Sequence, residues 1–150
     1  LTFYFADTSA LAKRYIAEAG SGWVRRWTRR STGNTIVICQ MTPLELHSTF
    51  ARLAREGRLV KPKVNLQIEL ARDLIYQYFT IPLSVASIQK EAQRLVNRYP
   101  LRSLDALQLA TALYGHKQLN QSLIFVSSDK RLLNAASAEG FTIDDPTNHP

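Results

Sequence analysis

Short apolar runs alternate with longer stretches of helical periodicity along these 150 residues. "LTFYFAD", "TIVICQ" and "SLIFVSS" each hold a four-residue apolar or aromatic core, the length of a buried strand rather than a helix. "TSALAKRYIAEAG" predicts a helix stopped by Gly20, and "SGWVRRWTRRSTGN" a second one ending near Gly33. "TPLELHSTFARLAREGRL" opens with Thr42 as candidate N-cap and Pro43 at the first helical position. With "KPKVNLQIELARDLIYQYF" it predicts a helical hairpin turning around Gly57 to Pro62. "TIPLS" reads as a short strand, and "SIQKEAQRLVNRYP" as a helix ended before Pro100. "SLDALQLATALYGHK" is apolar almost all round, so it predicts a buried helix. "DKRLLNAASAEG" predicts a last helix with Gly140 as its stop, "FTI" a last strand, and "DDPTNHP" a frayed tail. Strands alternating with helices, with no repeat and no dividing linker, predict one domain over residues 1–150, an α/β sandwich around a mostly parallel sheet.

The composition, 45% hydrophobic and 21% charged, is that of an ordinary soluble globular chain. No run of about 18 apolar residues is present, so no membrane span is expected. "LTFYFAD" carries neither a basic n-region nor a small-residue cleavage site and reads as a strand, not a signal peptide. Cys39 is the single cysteine and lies in an apolar run, which fits a buried core residue and a reducing, cytoplasmic setting. Nineteen Lys and Arg against twelve Asp and Glu give a net charge of +7, a field that attracts a phosphate-rich partner.

The acids sharpen that picture. Asp7 directly follows the first strand, and Asp129 the strand "LIFVSS"; in parallel sheets ligands bind beyond the carboxyl ends of the strands. Glu45 and Asp105 fall in the first turns of two helices. Taken singly, each has a plain structural explanation. Thr42-x-x-Glu45 has capping-box spacing, Ser103 can cap the helix that carries Asp105, and Asp7 and Asp129 can be N-caps themselves. Together, carboxylates embedded in apolar sequence point to one pocket, where their mutual repulsion calls for a hard divalent cation such as Mg²⁺ or Mn²⁺. His47, His116 and His149 lack zinc-ligand spacing. Glu18, Glu56, Glu69, Asp73 and Glu91 sit mid-helix beside basic residues and read as solvated faces.

The segments "FADTSAL", "MTPLELHS", "LRSLDALQLATAL" and "FVSSDKRLL" resemble the four acidic motifs of PIN-domain nucleases, in order and across nearly the whole chain. The third and fourth are especially similar to those of VapC-type toxins of prokaryotic toxin–antitoxin pairs. The resemblance implies a three-layer α/β/α sandwich with a parallel sheet of about five strands and a Mg²⁺- or Mn²⁺-dependent ribonuclease site. Carried over by position, it assigns Asp7, Glu45, Asp105 and Asp129 as catalytic and metal-binding. Some family members have a further acid after the third motif; Gln108 and Leu109 stand there in this chain. The resemblance also implies an RNA substrate, a homodimer, and an antitoxin that occupies the cleft.

Around these acids, Thr8, Ser9, Thr42 and Ser128 are short hydroxyls suited either to capping or to holding a carboxylate or phosphate. Arg102, beside the third motif, is the first candidate for a phosphate contact, with Lys13, Arg14, Lys130 and Arg131 as further candidates flanking the cleft. In "GWVRRWTRR", Trp23 and Trp27 share a helical stripe, either an RNA-stacking surface or a core face. The hairpin stripe of Leu46, Phe50, Leu53, Leu66, Leu70 and Leu74 suits a protein partner. Three other readings compete with a toxin: a non-catalytic module on the same scaffold, a nuclease of RNA processing without an antitoxin, and an aspartyl-phosphate enzyme. The last wants Asp-x-Asp, whereas Asp7-Thr8-Ser9 has no second acid.

Overall fold

The computed structural model describes residues 1–150. Its five strands are β1 (Phe3–Ala6), β2 (Thr35–Cys39), β3 (Tyr78–Ile81), β4 (Leu123–Val126) and β5 (Thr142–Asp144). They form one sheet in the order β3-β2-β1-β4-β5, with every neighbouring pair parallel. Seven helices cover it: α1 (Thr8–Tyr15), α2 (Ser21–Trp27), α3 (Thr42–Arg55), α4 (Lys63–Tyr76), α5 (Ala86–Arg98), α6 (Ser103–Leu119) and α7 (Lys130–Ala138).

The two-residue period of each strand divides its side chains between two cores. Phe5, Val37, Cys39, Leu123 and Phe125 face α5, α6 and α7. Ala6, Ile36, Ile38 and Val126 face α1 to α4, where Leu11, Val24, Phe50 and Leu70 complete the packing. The inner strands β2, β1 and β4 are largely buried on both faces and hold continuous apolar runs, as parallel sheets require, whereas the edge strands β3 and β5 expose Phe79 and Ile143. The expected three-layer sandwich is the observed one, and no helix is long and apolar enough to cross a membrane.

Several local expectations change. Helix α1 ends at Tyr15, five residues before Gly20, because Ile16 turns to extended backbone. Gly20 instead precedes α2 at φ +88°, where a Cβ would fall 2.2 Å from the carbonyl oxygen of Pro146. The second helix stops at Trp27 and is followed by a separate 3₁₀ turn at Arg30–Thr32. Strand β3 begins at Tyr78, ahead of the "TIPLS" segment. Thr42 and Ser103 are the first residues of α3 and α6, preceded by Met41 and Arg102, and neither cap makes a side-chain bond.

The tail is ordered rather than frayed. It forms a 3₁₀ turn at Pro146–Asn148 capped by Asp145; His149 stacks on Trp23 at 4.2 Å and meets Asp144 at 2.8 Å. Trp27 is buried and stacks on Tyr4 at 4.4 Å, so the tryptophan stripe faces core and tail, not solvent. Leu46, Phe50, Leu53, Leu66 and Leu70 are likewise buried. The hairpin's exposed apolar residues lie elsewhere: Val64, Ile68, Ile75 and Tyr76 on α4, Leu44 on α3 and Val60 in the turn between them.

Candidate active site

The strand order reverses at β1: the chain runs outward through β2 and β3, then returns to place β4 on the other side of β1. In open parallel sheets such a point, beyond the carboxyl ends of the strands, is where ligands bind. Asp7 stands there, its N–H donating to the carbonyl of Val126 at 3.1 Å. Asp129 follows β4 two residues after Ser127.

Asp7 caps α1 and is 5% exposed. Its Oδ1 accepts from the Ala10 N–H at 3.0 Å and the Ser9 hydroxyl at 2.8 Å; its Oδ2 accepts from the Ser127 hydroxyl at 3.0 Å. Every donor is neutral and no cation pairs with the carboxylate. Burial therefore pushes its pKa up from 3.8 to about 7, with the Glu45 charge adding to the rise and the three donors opposing it. Ser9 and Ser127 also join the ends of β1 and β4. Ser9 Oγ accepts from the Ser128 N–H at 2.9 Å, and Ser127 Oγ from the Asp129 N–H at 3.0 Å.

Glu45, in the first turn of α3, does not reach back to a backbone N–H as a capping box would. Its Oε1 accepts from the Thr8 hydroxyl at 2.8 Å and from the Gln108 amide at 3.0 Å. The same amide nitrogen lies 3.1 Å from both Thr8 Oγ1 and Thr42 Oγ1. Asp105 lies one turn before Gln108 on the same side of α6 and is half-buried. Of the four acids it alone is ion-paired, with Arg102 Nε at 3.7 Å and that arginine almost fully in solvent. Asp129 caps α7 through the Arg131 and Leu132 N–H groups, both bonded to Oδ1. Each acid thus sits at a helix N-terminus, whose dipole favours negative charge.

Asp7 and Asp129 are the N-caps the sequence allowed; the carboxylate of Asp129 bonds only to its own helix, while Asp7 also bonds Ser9 and Ser127. Among the supporting residues, Thr8 bonds Glu45 and Ser9 bonds Asp7, Thr42 meets only Thr8 and Gln108, and Ser128 keeps its hydroxyl buried without a partner. Lys13 and Arg14 do not flank the crevice: Lys13 is buried against Glu18, and Arg14 is held by Asp73 and Thr28. Two further residues, Ser127 and Gln108, bond the Asp7 and Glu45 carboxylates. Ser127 could have been found from its place between strand end and acid. Gln108 was visible only as the residue where an acid was missing.

The donors around the crevice are oxygens, the chemistry that Mg²⁺ and Mn²⁺ prefer. A buried carboxylate with no cation beside it and a second acid raising its pKa also fits a site for a positive ion. No group of three or more His, Cys, Asp or Glu side chains is set close enough to hold a metal together.

Comparison with solved structures finds the same fold repeatedly. VapBC2 from Rickettsia felis, bound to a DNA fragment from its promoter, matches with a TM-score of 0.64 at 14% identity, covering 96% of this chain and 98% of that one. PAE2754 from Pyrobaculum aerophilum matches with a TM-score of 0.63 at 20% identity, covering 98% and 85%. FitAcB from Neisseria gonorrhoeae matches with a TM-score of 0.57 at 15% identity, covering 98% and 99%. No curated protein matches by sequence. A model of the PIN domain matches residues 4–138, which take in all four acids and every residue of the two cores but Phe141. The chain belongs to the PIN domain family, a family of nucleases.

Proposed function

We propose that this protein is a Mg²⁺- or Mn²⁺-dependent endoribonuclease, the toxin of a type II toxin–antitoxin pair, acting in the cytoplasm. The observation that carries the reading is Asp7: a carboxylate buried at the strand-order reversal, bonded only to neutral donors and electrostatically coupled to Glu45. The name VapBC2 among the structural neighbours agrees with the VapC-type character of the third and fourth motifs.

Asp7, Glu45, Asp105 and Asp129 are the residues that would hold the ion, Glu45 either directly or through a water it orients. What the ion supplies, when bound, is acidification of a water and neutralisation of phosphate charge. The chain's own contribution is positioning. Ser9 and Ser127 fix both oxygens of Asp7, Thr8 and Gln108 fix one oxygen of Glu45, and Arg102 reaches into solvent at the mouth as a contact for the RNA backbone. Water attacking in line leaves a 5′-phosphate and a 3′-hydroxyl. The basic surface attracts RNA, and the exposed face of α4 gives a second copy or an antitoxin an apolar surface to cover.

The test is cleavage of total cellular RNA by antitoxin-free wild type and Asp105→Asn with Mn²⁺, Mg²⁺ or EDTA, with end-mapping of products and light scattering for the mass in solution. Discrete metal-dependent cuts absent from the variant are expected, from a particle of twice the chain mass. No cleavage by the folded wild type under any metal would move the protein to the non-catalytic reading.

A further inference from the structure

We infer that Gln108 is a fifth residue of this site, a positioning residue that locks Glu45 so that one carboxylate oxygen is saturated and the other is left open to the crevice. The inference rests on the metal-dependent reading above and extends it to a residue outside the acidic quartet.

Three observations support it. The side chain is 3% exposed, and its amide nitrogen lies within 3.1 Å of acceptors on two other helices: Thr8 of α1, and Thr42 and Glu45 of α3. An amide nitrogen carries two hydrogens. With Glu45 Oε1 the charged acceptor, one goes there and the second is shared by the two threonine oxygens. The bonds are also oriented. Thr8 gives its single proton to the same Glu45 Oε1, so two neutral donors converge on that atom, while no protein donor reaches Oε2. Finally, Gln108 Oε1 is buried with no partner. A glutamine kept only for packing would satisfy both ends or be replaced by an apolar side chain, because an orphaned buried carbonyl is costly. Reversing the amide would set its oxygen against the Glu45 carboxylate, so the nitrogen must face Glu45 whatever happens to the oxygen.

The position on α6 adds a geometric reason. Gln108 stands one helical turn after Asp105, so it ties the helix that bears one acid to the side chain of another. Groups that orient a ligand in this way typically change metal affinity about 10–100-fold when removed.

The experiment is a double-mutant cycle on Mn²⁺ affinity, read by electron paramagnetic resonance on the full chain. It compares wild type, Gln108→Leu, Glu45→Ala and the double variant, with thermal melts to establish folding. If Gln108 acts through Glu45, Gln108→Leu weakens Mn²⁺ binding about 10-fold or more, and the double variant is no weaker than Glu45→Ala alone. Wild-type affinity in Gln108→Leu, or losses that multiply in the double variant, would overturn the assignment while leaving the metal site standing. Absence of Mn²⁺ binding by the wild type would overturn the metal-dependent reading and this inference with it. Gln108→Met, unbranched and nearer in shape to glutamine, carries the cycle if the leucine variant does not fold. Failure of both to fold would make Gln108 a structural residue.

Discussion

Arg14 of α1 and Asp73 of α4 form an ion pair, Nε to Oδ2 at 2.8 Å, on the α1–α4 side of the sheet, with Asp73 buried and Arg14 partly so. Asp73 Oδ2 also accepts from the Tyr15 hydroxyl at 2.8 Å, and Tyr15 lies 2.6 Å from the hydroxyl of Tyr78 on β3. Arg14 completes the group by donating to Thr28 Oγ1 at 2.8 Å. One carboxylate therefore ties the helix that follows Asp7 to the helical hairpin, the edge strand and the end of α2.

Removing one partner of a buried pair leaves the other uncompensated, which costs on the order of 3–5 kcal/mol. Asp73→Ala should lower the free energy of unfolding by about that much in urea titrations, with Mn²⁺ affinity of the folded fraction unchanged. A change within the noise of the titration would mean that Arg14 finds solvent easily and that the network is ornamental.

Gly20 holds the tail against α2. At φ +88°, with Pro146 backbone atoms inside the space a Cβ would fill, alanine is excluded both by conformation and by contact. Gly20→Ala should destabilise the fold by about 2 kcal/mol or more and release the tail, seen as loss of the Trp23–His149 stacking in tryptophan fluorescence. A fluorescence spectrum like the wild type's would show that the close approach is easily relieved.

Arg102 tests the substrate surface separately from the metal. Its side chain is solvated and 3.7 Å from Asp105, so truncation should leave the unfolding midpoint where it is. On the ribonuclease reading, Arg102→Ala should raise KM with kcat little changed and reduce the salt slope of RNA binding by about one. A fall in kcat at constant KM would instead place the guanidinium at the reacting phosphate.

What the sequence disclosed divides along sequence distance. The inner strands were legible because burial on both faces of a parallel sheet leaves four-residue apolar runs, and Asp7 and Asp129 because they follow such runs closely; the exposed edge strand β3 was placed two residues late. Asp73 was misread as a solvated helix acid because its partners, Arg14 and Tyr15, lie 59 and 58 residues away and only the fold brings them together. The tail was misread for the same reason: its polar composition says nothing of Trp23 or Gly20. Gln108 was hidden differently. Its value lies in the orientation of one amide among three oxygens, and residue type alone carries no orientation.

Asp7 makes the sharpest prediction about pH. Its pKa is raised by burial from 3.8 to about 7, so between those values the folded protein binds a proton that the unfolded chain has released. Stability must then fall as pH rises through this window, and stay lowered above it. The charged form carries a penalty on the order of 4 kcal/mol. Asp7→Asn removes the titration while keeping an oxygen for the Ala10 N–H and an amide that the Ser9 and Ser127 hydroxyls can rotate to accept. In EDTA, urea unfolding at pH 5 and pH 8 should show the wild type losing stability relative to the variant, so that the variant becomes the more stable protein at the higher pH. Saturating Mn²⁺ should reverse that order, since binding to the native state alone raises wild-type stability and the variant has lost a charged ligand. Parallel pH profiles for the two proteins in EDTA would mean that water or a nearby cation already compensates the Asp7 charge in the folded state.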